Sequence, residues 1–389
     1  MSKWEQVKLD NLCVKKIETL STKDNFIIEY VDISSIDNQE KRILSYQTIN
    51  SCEAPSRAKQ ILQKGDILIS TVRPNLNAIA INHIDSEHVV VGSTGFCVLR
   101  CNEGIDTNYI FNFCKSKKFF NNLARIAKGA SYPAVSNKQV RDSKILLPPL
   151  EKQKQIAKIL DTAAELLAMH KQQLTELDNL IKSIFYDMFG DPVVNERGWD
   201  IVPLRDTLSI IGGYAFKSSG FTKEGIPVIK IGNINSGIFS DTNISFWEYD
   251  EKLEKYSLYP NNVVISLTGT VGKDDYANVC ILPDLYPQYY LNQRNAKLEL
   301  HESINVHYLI HLLRDPKIKG KLTGINRGIR QANISNTDIL SLNVPLPPIS
   351  IQEKFSTIIV NIEEQKNILY KAIEETKYLF DALMADYFE

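Results

Sequence analysis

The chain has 389 residues, which at roughly 150 residues per domain predicts two or three domains with ample length for buried cores. Peptide hormones, lone zinc fingers and small disulfide scaffolds are excluded, and 43% hydrophobic, 23% charged and 9% aromatic residues are the proportions of a folded globular chain. With 45 basic against 46 acidic residues the net charge is −1, so any argument for a nucleic-acid partner has to come from local charge.

The N-terminus, MSKWEQVKLDNL, has no apolar signal core, and no window approaches the ~18 consecutive apolar residues of a membrane helix. A cytoplasmic protein with no membrane contact is expected. Cys13, Cys52, Cys97, Cys101, Cys114 and Cys280 form no CxxC pair, as expected of free thiols in a reducing compartment. Cys97 and Cys101 are expected to flank or lie in a strand and pack as small apolar residues.

Further along, "GDILISTVRPNLNAIAINHI" alternates as a hairpin whose loop holds Arg73, Asn75 and Asn77. A helical stretch over 107–127 leads into a polar turn with Lys128, Ser131 and Tyr132. Gly129 reads as a positive-φ turn residue, and Ser136-Asn137 as a turn or helix cap. Between 115 and 144 eight basic residues face only Asp142, a local net charge of +7.

Leu-Pro-Pro at 147–149 then changes the period from strand-like to helical, since proline is tolerated in a first helical turn and not within one. Ile156, Leu160, Ala163, Leu167, His170, Leu174, Leu177, Ile181, Ile184 and Met188 follow at alternating spacings of four and three, the seam of a coiled coil. A polar residue such as His170 on that seam sets register more often than it binds anything.

The second half repeats this plan. Residues 109–160 lie over 308–359 at a constant offset of 199 without gaps. Tyr109 and Tyr308, Gly129 and Gly328, Ser136-Asn137 and Ser335-Asn336, Gln153 and Gln352 coincide, as do the two Leu-Pro-Pro triplets. Weaker matches pair Trp4 with Trp199, "EYVDIS" with "IKIGNI" and "GDILIS" with "NNVVIS". "NNVVISLTGTVGKDDYANVCIL" predicts a second hairpin carrying Thr268, Thr270 and Lys273. A helical stretch over 306–323 precedes Arg327, Arg330 and Gln331 in a stretch, 314–343, of net charge +4. The final seam runs through Phe355, Ile359, Ile362, Leu369, Ile373, Phe380, Leu383 and Tyr387, interrupted by Lys366 and Thr376.

The expected architecture is α+β: two tandem α/β globular domains separated by two long helices that pair as an antiparallel coiled coil, with pseudo-twofold internal symmetry. Its parts are 1–147, a first globular domain; 148–191, a central helix; 192–346, a second globular domain; and 347–389, a distal helix. Basic charge at the same place in both copies is the footprint of a two-headed DNA binder, with phosphate contacts for affinity and polar side chains for base edges. A solvated basic helix face is the plainer alternative.

Catalytic signatures are scarce. "GTVGKDD" is not a P-loop, and "LPPL" and "LPPI" are not the Asp/Asn-Pro-Pro-Tyr/Phe tetrapeptide of amino-methyltransferases. Asp142-Ser143-Lys144 and Asp315-Pro316-Lys317 are not at equivalent repeat positions and read as surface charges. His307 and His311, with His301 nearby, have permissible zinc spacing without a fourth ligand, and a plain helix surface is expected there. No catalytic or metal-binding residue is assigned.

The duplicated "LPPLEKQKQIAKIL" and "LPPISIQEKFSTII", the "DILIST" strand followed by Arg73-Pro74, "GIPVIKIGNI" and the two heptad helices together resemble the specificity subunit of type I restriction-modification systems, over the whole length. The family's Glu-Gln pair reads Lys152-Gln153 and Ile351-Gln352 here. The resemblance implies a non-catalytic chain that reads a split, asymmetric site in double-stranded DNA, one half per recognition domain. It also implies that the helices set the spacing and dock two methyltransferase subunits, with restriction subunits joining through the complex. The docking surface is expected along the seam residues Ile156, Leu160, Leu167, Leu174, Ile181, Phe355, Ile359, Ile362, Leu369 and Leu383. No cofactor is expected in this chain; S-adenosylmethionine, ATP and Mg²⁺ are implied for the partners. Base readout is assigned to the two hairpin loops, whose Arg and Asn side chains can make bidentate contacts to guanine and adenine, and to the polar turns after the basic helices.

Two other classes compete: a coiled-coil scaffold that binds proteins and shows no salt-dependent DNA affinity, and a fragment of a fused nuclease-methyltransferase. Met1 ahead of the first repeat and an end within the second helix favour a complete two-repeat subunit over the fragment.

Overall fold

A computed structural model describes residues 4–21, 25–129, 131–234, 236–270, 273, 275–324 and 331–389, with residue 331 described by its backbone alone. The chain divides into two units, 1–172 with 370–389, and 173–369. Each 40-residue helix, Leu150–Phe189 and Ile349–Phe388, contributes part of its length to each unit. The four-part division expected from the sequence follows secondary structure; the units follow packing.

In the first unit Glu5–Lys8 pairs antiparallel with Lys144–Leu147, tying the two ends of the recognition region together. Between them lie a four-stranded sheet, ordered Gln47–Asn50, Ile27–Val31, Val89–Ser93, Ala58–Ile61, and a three-stranded sheet, ordered Phe96–Leu99, Ile67–Ser70, Ile79–Ile81. The hairpin expected at 67–81 is present, Ile67–Ser70 against Ile79–Ile81. Its first strand is buried along its length because it is covered on both faces, and the two-residue period of a strand sends alternate side chains to different cores. Ile67 and Ile69 join Tyr109, Phe113, Ile156 and Leu160; Leu68 joins Val31, Phe96 and Val98.

The second unit repeats the device. Asp200–Pro203 pairs with Asn343–Leu346, and Val263–Ser266 forms a hairpin with Val279–Ile281. Val263 and Ile265 pack with Tyr308, Leu309 and Phe355, Val264 with Ile229, Leu258 and Tyr289.

Within each unit the helix segments run antiparallel. In the first, Ile156 and Leu160 share a core with Met384 and Phe388. In the second, Phe185 and Phe189 meet Phe355 at ring-centroid distances of 5.7 and 5.2 Å, while Asp178 pairs with Lys366 at 2.9 Å. At 1.5 Å per residue each helix is about 60 Å long.

Two identities of the repeat are explained by hydrogen bonding. The side-chain carbonyl of Gln153 accepts from the Asp106 N–H at 3.0 Å and its amide donates to the Pro148 carbonyl at 2.8 Å. Gln352 does the same with the Asn305 N–H and the Pro347 carbonyl, at 2.8 and 2.7 Å. Tyr109 and Tyr308 donate their hydroxyls to the carbonyls of Leu146 and Pro345. Each copy thus ties a helix N-terminus and a strand end to the start of its long helix.

Candidate nucleic-acid interface

In the first unit the hairpin loop and the turn after the basic helix, more than fifty residues apart in sequence, are joined by backbone. Arg73 N–H donates to the Pro133 carbonyl at 2.7 Å, and Val135 N–H to the Thr71 carbonyl at 2.9 Å. This brings the Arg73 guanidinium 4.5 Å from the centroid of the Tyr132 ring, which is 68% exposed. Arg73 and Asn77 both have left-handed backbone, φ 49° and 47°. That conformation is tolerable for Asn and costly for Arg, so the surrounding bonds hold Arg73 in a conformation it would not choose. Lys41 donates to the Asn77 carbonyl at 2.6 Å and holds the other end of the loop.

Gly129 adopts φ 113°, as its reading as a turn residue requires, and a Cβ there would lie 2.6 Å from the Tyr132 carbonyl oxygen. This glycine sets the approach of the Tyr132 segment. Asn75, Lys128 and Ser131 are exposed, and Asn77 is half-buried. Beside Arg73 and Tyr132 a cleft of about 510 Å³ is also lined by Asp32, Asn38 and Arg57. None of these three carried a sequence signal, because their place beside the hairpin loop comes from pairing between distant strands.

The second unit builds the same junction with different side chains. Ile334 N–H donates to the Leu267 carbonyl at 2.8 Å, and Thr268–Thr270 pairs with Gln331–Asn333. Thr270 is exposed, but its hydroxyl donates to Asp275 at 2.8 Å. Thr268 departs from its expected role: it is only 9% exposed, because it lies at the inner end of a short strand whose burial falls from Thr268 through Gly269 to the exposed Thr270, which leaves it little surface for a base contact. Lys273 is exposed. Arg327 and Arg330 lie outside the described residues, as does the Gln331 side chain.

The basic stretches are less uniform than their sum suggests. Burial pushes Lys115 down to about 8, and its ammonium lies 4.9 Å from the Phe111 ring centroid. Arg141 bonds Asp10 and the Val98 carbonyl; Arg314 bonds the carbonyls of Gly237 and Val279; Lys319 is buried against Asn278. These groups fasten the units internally. Lys117, Arg125, Lys128, Lys138, Lys144 and Lys321 keep exposed side chains. Ser136 and Ser335 each head a short helix with a capping box, in agreement with the reading as caps.

The docking expectation for the seam needs correction. Ile156, Leu160, Ile181, Phe355, Ile359 and Ile362 are buried in the chain's own cores, while Leu167, Leu174, Leu369 and Leu383 are half-buried. Heptad side chains face their own helix partner and domain. Large apolar side chains left exposed on the helices, such as Met169 at 58% in the first unit and Ile368 at 68% in the second, stand off the seam. His311 packs edge-on to Phe355 at 5.5 Å and is held down to about 3, chiefly by burial. Among the described residues no group of three or more His, Cys, Asp or Glu side chains could hold a metal ion, and no helix is long and apolar enough to cross a membrane.

The family model for the type I restriction modification DNA specificity domain matches residues 1–179 and again 196–376. The MjaVIII specificity subunit of a type I restriction enzyme from Methanocaldococcus jannaschii is 28% identical over 333 residues, covering 81% of this chain and 76% of the relative. The MjaIX specificity subunit from the same organism is 22% identical over 386 residues, covering 95% and 85%. In fold, the chain is similar to a component of a type I R-M system solved in a study of complex assembly and conformational transition, with TM-score 0.63, 24% identity, and coverage of 99% of this chain and 97% of that one. It is likewise similar to a type I restriction-modification S subunit from M. genitalium, with TM-score 0.62, 14% identity, and coverage of 100% and 96%.

Proposed function

Because the chain belongs to the type I restriction-modification DNA specificity family, we propose that it is the non-catalytic subunit that selects the DNA site for such a complex. Each recognition region reads one half of a bipartite site in double-stranded DNA. The observation that carries this reading is the junction built twice, in which a hairpin loop and the segment after a basic helix are hydrogen-bonded together (Val135 to Thr71, Ile334 to Leu267). Two chain segments thereby present polar and basic side chains at one place in each unit. The junctions differ in side chains, Arg73 and Tyr132 in one, Thr270 and Lys273 in the other, so the two half-sites differ in sequence.

Arg73 and Asn75 read base edges, and Lys128 contacts phosphate. The continuous helices set the gap between half-sites and dock two methyltransferase subunits on their off-seam faces, with restriction subunits joining through the assembled complex. S-adenosylmethionine, ATP and Mg²⁺ then belong to those partners, and the complex works in the cytoplasm.

The test is genome-wide adenine methylation by single-molecule sequencing in a host expressing this chain with its adjacent methyltransferase, compared with a chain in which residues 200–345 are exchanged for those of a relative. The expected result is a split motif of which only one half changes. No methylated split motif, with a methyltransferase demonstrably assembled on the chain, would instead support a scaffold that binds proteins alone.

A further inference from the structure

The first unit carries chemistry that DNA reading does not use. Cys13 and Cys101 stand directly opposite each other in an isolated antiparallel bridge. The backbone bonds around them run from Val14 N–H to the Arg100 carbonyl at 2.8 Å and from Asn102 N–H to the Leu12 carbonyl at 2.9 Å. Bonds at those flanking positions make the two cysteines a non-hydrogen-bonded pair, where Cα atoms approach to about 4.5 Å and side chains lie closest. That separation lies within the ~4.4–6.8 Å that a disulfide spans.

Both thiols are free; Cys13 is buried and Cys101 half-buried. The facing thiol and burial push Cys13 up, and the neighbours Cys13 and Thr107 hold Cys101 below its usual value.

We propose that Cys13 and Cys101 are a reversible thiol-oxidation site, closing to a disulfide when a peroxide reaches the first unit. Cys101 is the attacking sulfur, being the more accessible of the two. Its thiolate takes one oxygen from hydrogen peroxide, whose O–O bond breaks to give a sulfenic acid and, after protonation, water. The Cys13 sulfur then attacks the Cys101 sulfur, the S–OH bond breaks, and the hydroxide leaves as water with the proton of Cys13. Two thiols and one peroxide become one disulfide and two waters. The bond fastens the segment Leu9–Leu12 to the end of strand Phe96–Leu99. It lies beside Arg100, which holds Asp66 at the head of the recognition hairpin through contacts of 2.8 and 2.7 Å.

The experiment treats the full chain with graded hydrogen peroxide, unfolds it in excess alkylating agent and maps the peptides by mass. The expected product is a Cys13–Cys101 linked pair, lighter by two hydrogens, reversed by dithiothreitol and accompanied by a rise of several degrees in the Tm of the oxidised chain. Cys52, exposed and without an opposing thiol, is the internal measure of oxidant strength and forms no such pair. Cys101→Ala is expected to leave Cys13 fully alkylatable after peroxide. The proposal is overturned if Cys13 and Cys101 both remain alkylatable once Cys52 is oxidised, if Cys101 stops at a sulfinic acid, or if it links to Cys97 or Cys114 instead.

Discussion

The Arg73 guanidinium rests 4.5 Å from the centroid of the Tyr132 ring, joining a hairpin loop to a turn that follows a helix. An exposed cation–π contact of this kind contributes about 0.5–1 kcal/mol, so its structural weight is small. Arg73→Gly also removes a left-handed backbone cost, and stability is expected to stay within about 1 kcal/mol of the parent. DNA binding should fall by roughly 5- to 150-fold, the worth of one good bidentate base contact at about 1–3 kcal/mol. Chemical denaturation and fluorescence titration of the same variant separate the two. Equal affinity for the cognate site would remove Arg73 from base readout.

Lys128 is exposed and is assigned to phosphate. Lys128→Ala should weaken binding to all sequences alike and reduce the slope of log K against log salt by about one. An unchanged slope places Lys128 away from the backbone of the DNA.

Thr268 offers the opposite case, because its hydroxyl oxygen is buried and unpartnered within the protein. Thr268→Val keeps the shape and removes a polar group, so stability should be equal or higher by up to about 1 kcal/mol. The methylated motif should be unchanged. An altered second half-site would restore Thr268 to the interface.

Gln153 and Gln352 predict a matched pair of stability losses. Replacing either with Leu leaves a backbone N–H and at least one carbonyl (Pro148 for Gln153, Pro347 and Ser303 for Gln352) without that partner, a cost of about 1–3 kcal/mol. Calorimetry should show the transition of the first unit lowered by Gln153→Leu and that of the second by Gln352→Leu. A variant with no shift would mean that water replaces the lost bonds.

His311 makes the second unit acid-sensitive. Burial is the main reason its imidazole is held down to about 3, with Arg314, His307 and Lys366 adding repulsion; Asp178, Asp315 and Glu363 line the same small cavity. A histidine whose folded value is depressed binds fewer protons than in the unfolded chain. Stability therefore rises with pH between about 3 and the ordinary value near 6.5, and falls as pH drops through that window. The slope from this one group is at most about 1.4 kcal/mol per pH unit. His311→Gln should flatten the pH dependence of urea unfolding between 6.5 and 5; an identical profile would show that other groups carry it.

The duplicated plan, both hairpins, both long helices, the caps at Ser136 and Ser335 and the membership of a DNA-reading family were all determined by the sequence alone. They rest on signals local in the chain: strand alternation, heptad spacing, the Pro-Pro junction, and a repeat offset of 199 that needs no gap. Which basic residues are available was decided only by tertiary structure. Arg141 belongs to the same charged stretch as Lys128, and Lys319 to its counterpart in the second copy, yet they are tied to Asp10 and Asn278, since a charge count carries no direction. Thr268 and Thr270 look alike in sequence and share one strand, yet one end of that strand is buried in the unit and the other is exposed. Arg57 and Asp32 reach the Arg73 cleft through pairing of distant strands, and Cys13 meets Cys101 by the same means. Contacts of that kind are made between segments far apart in the chain, and no local period records them.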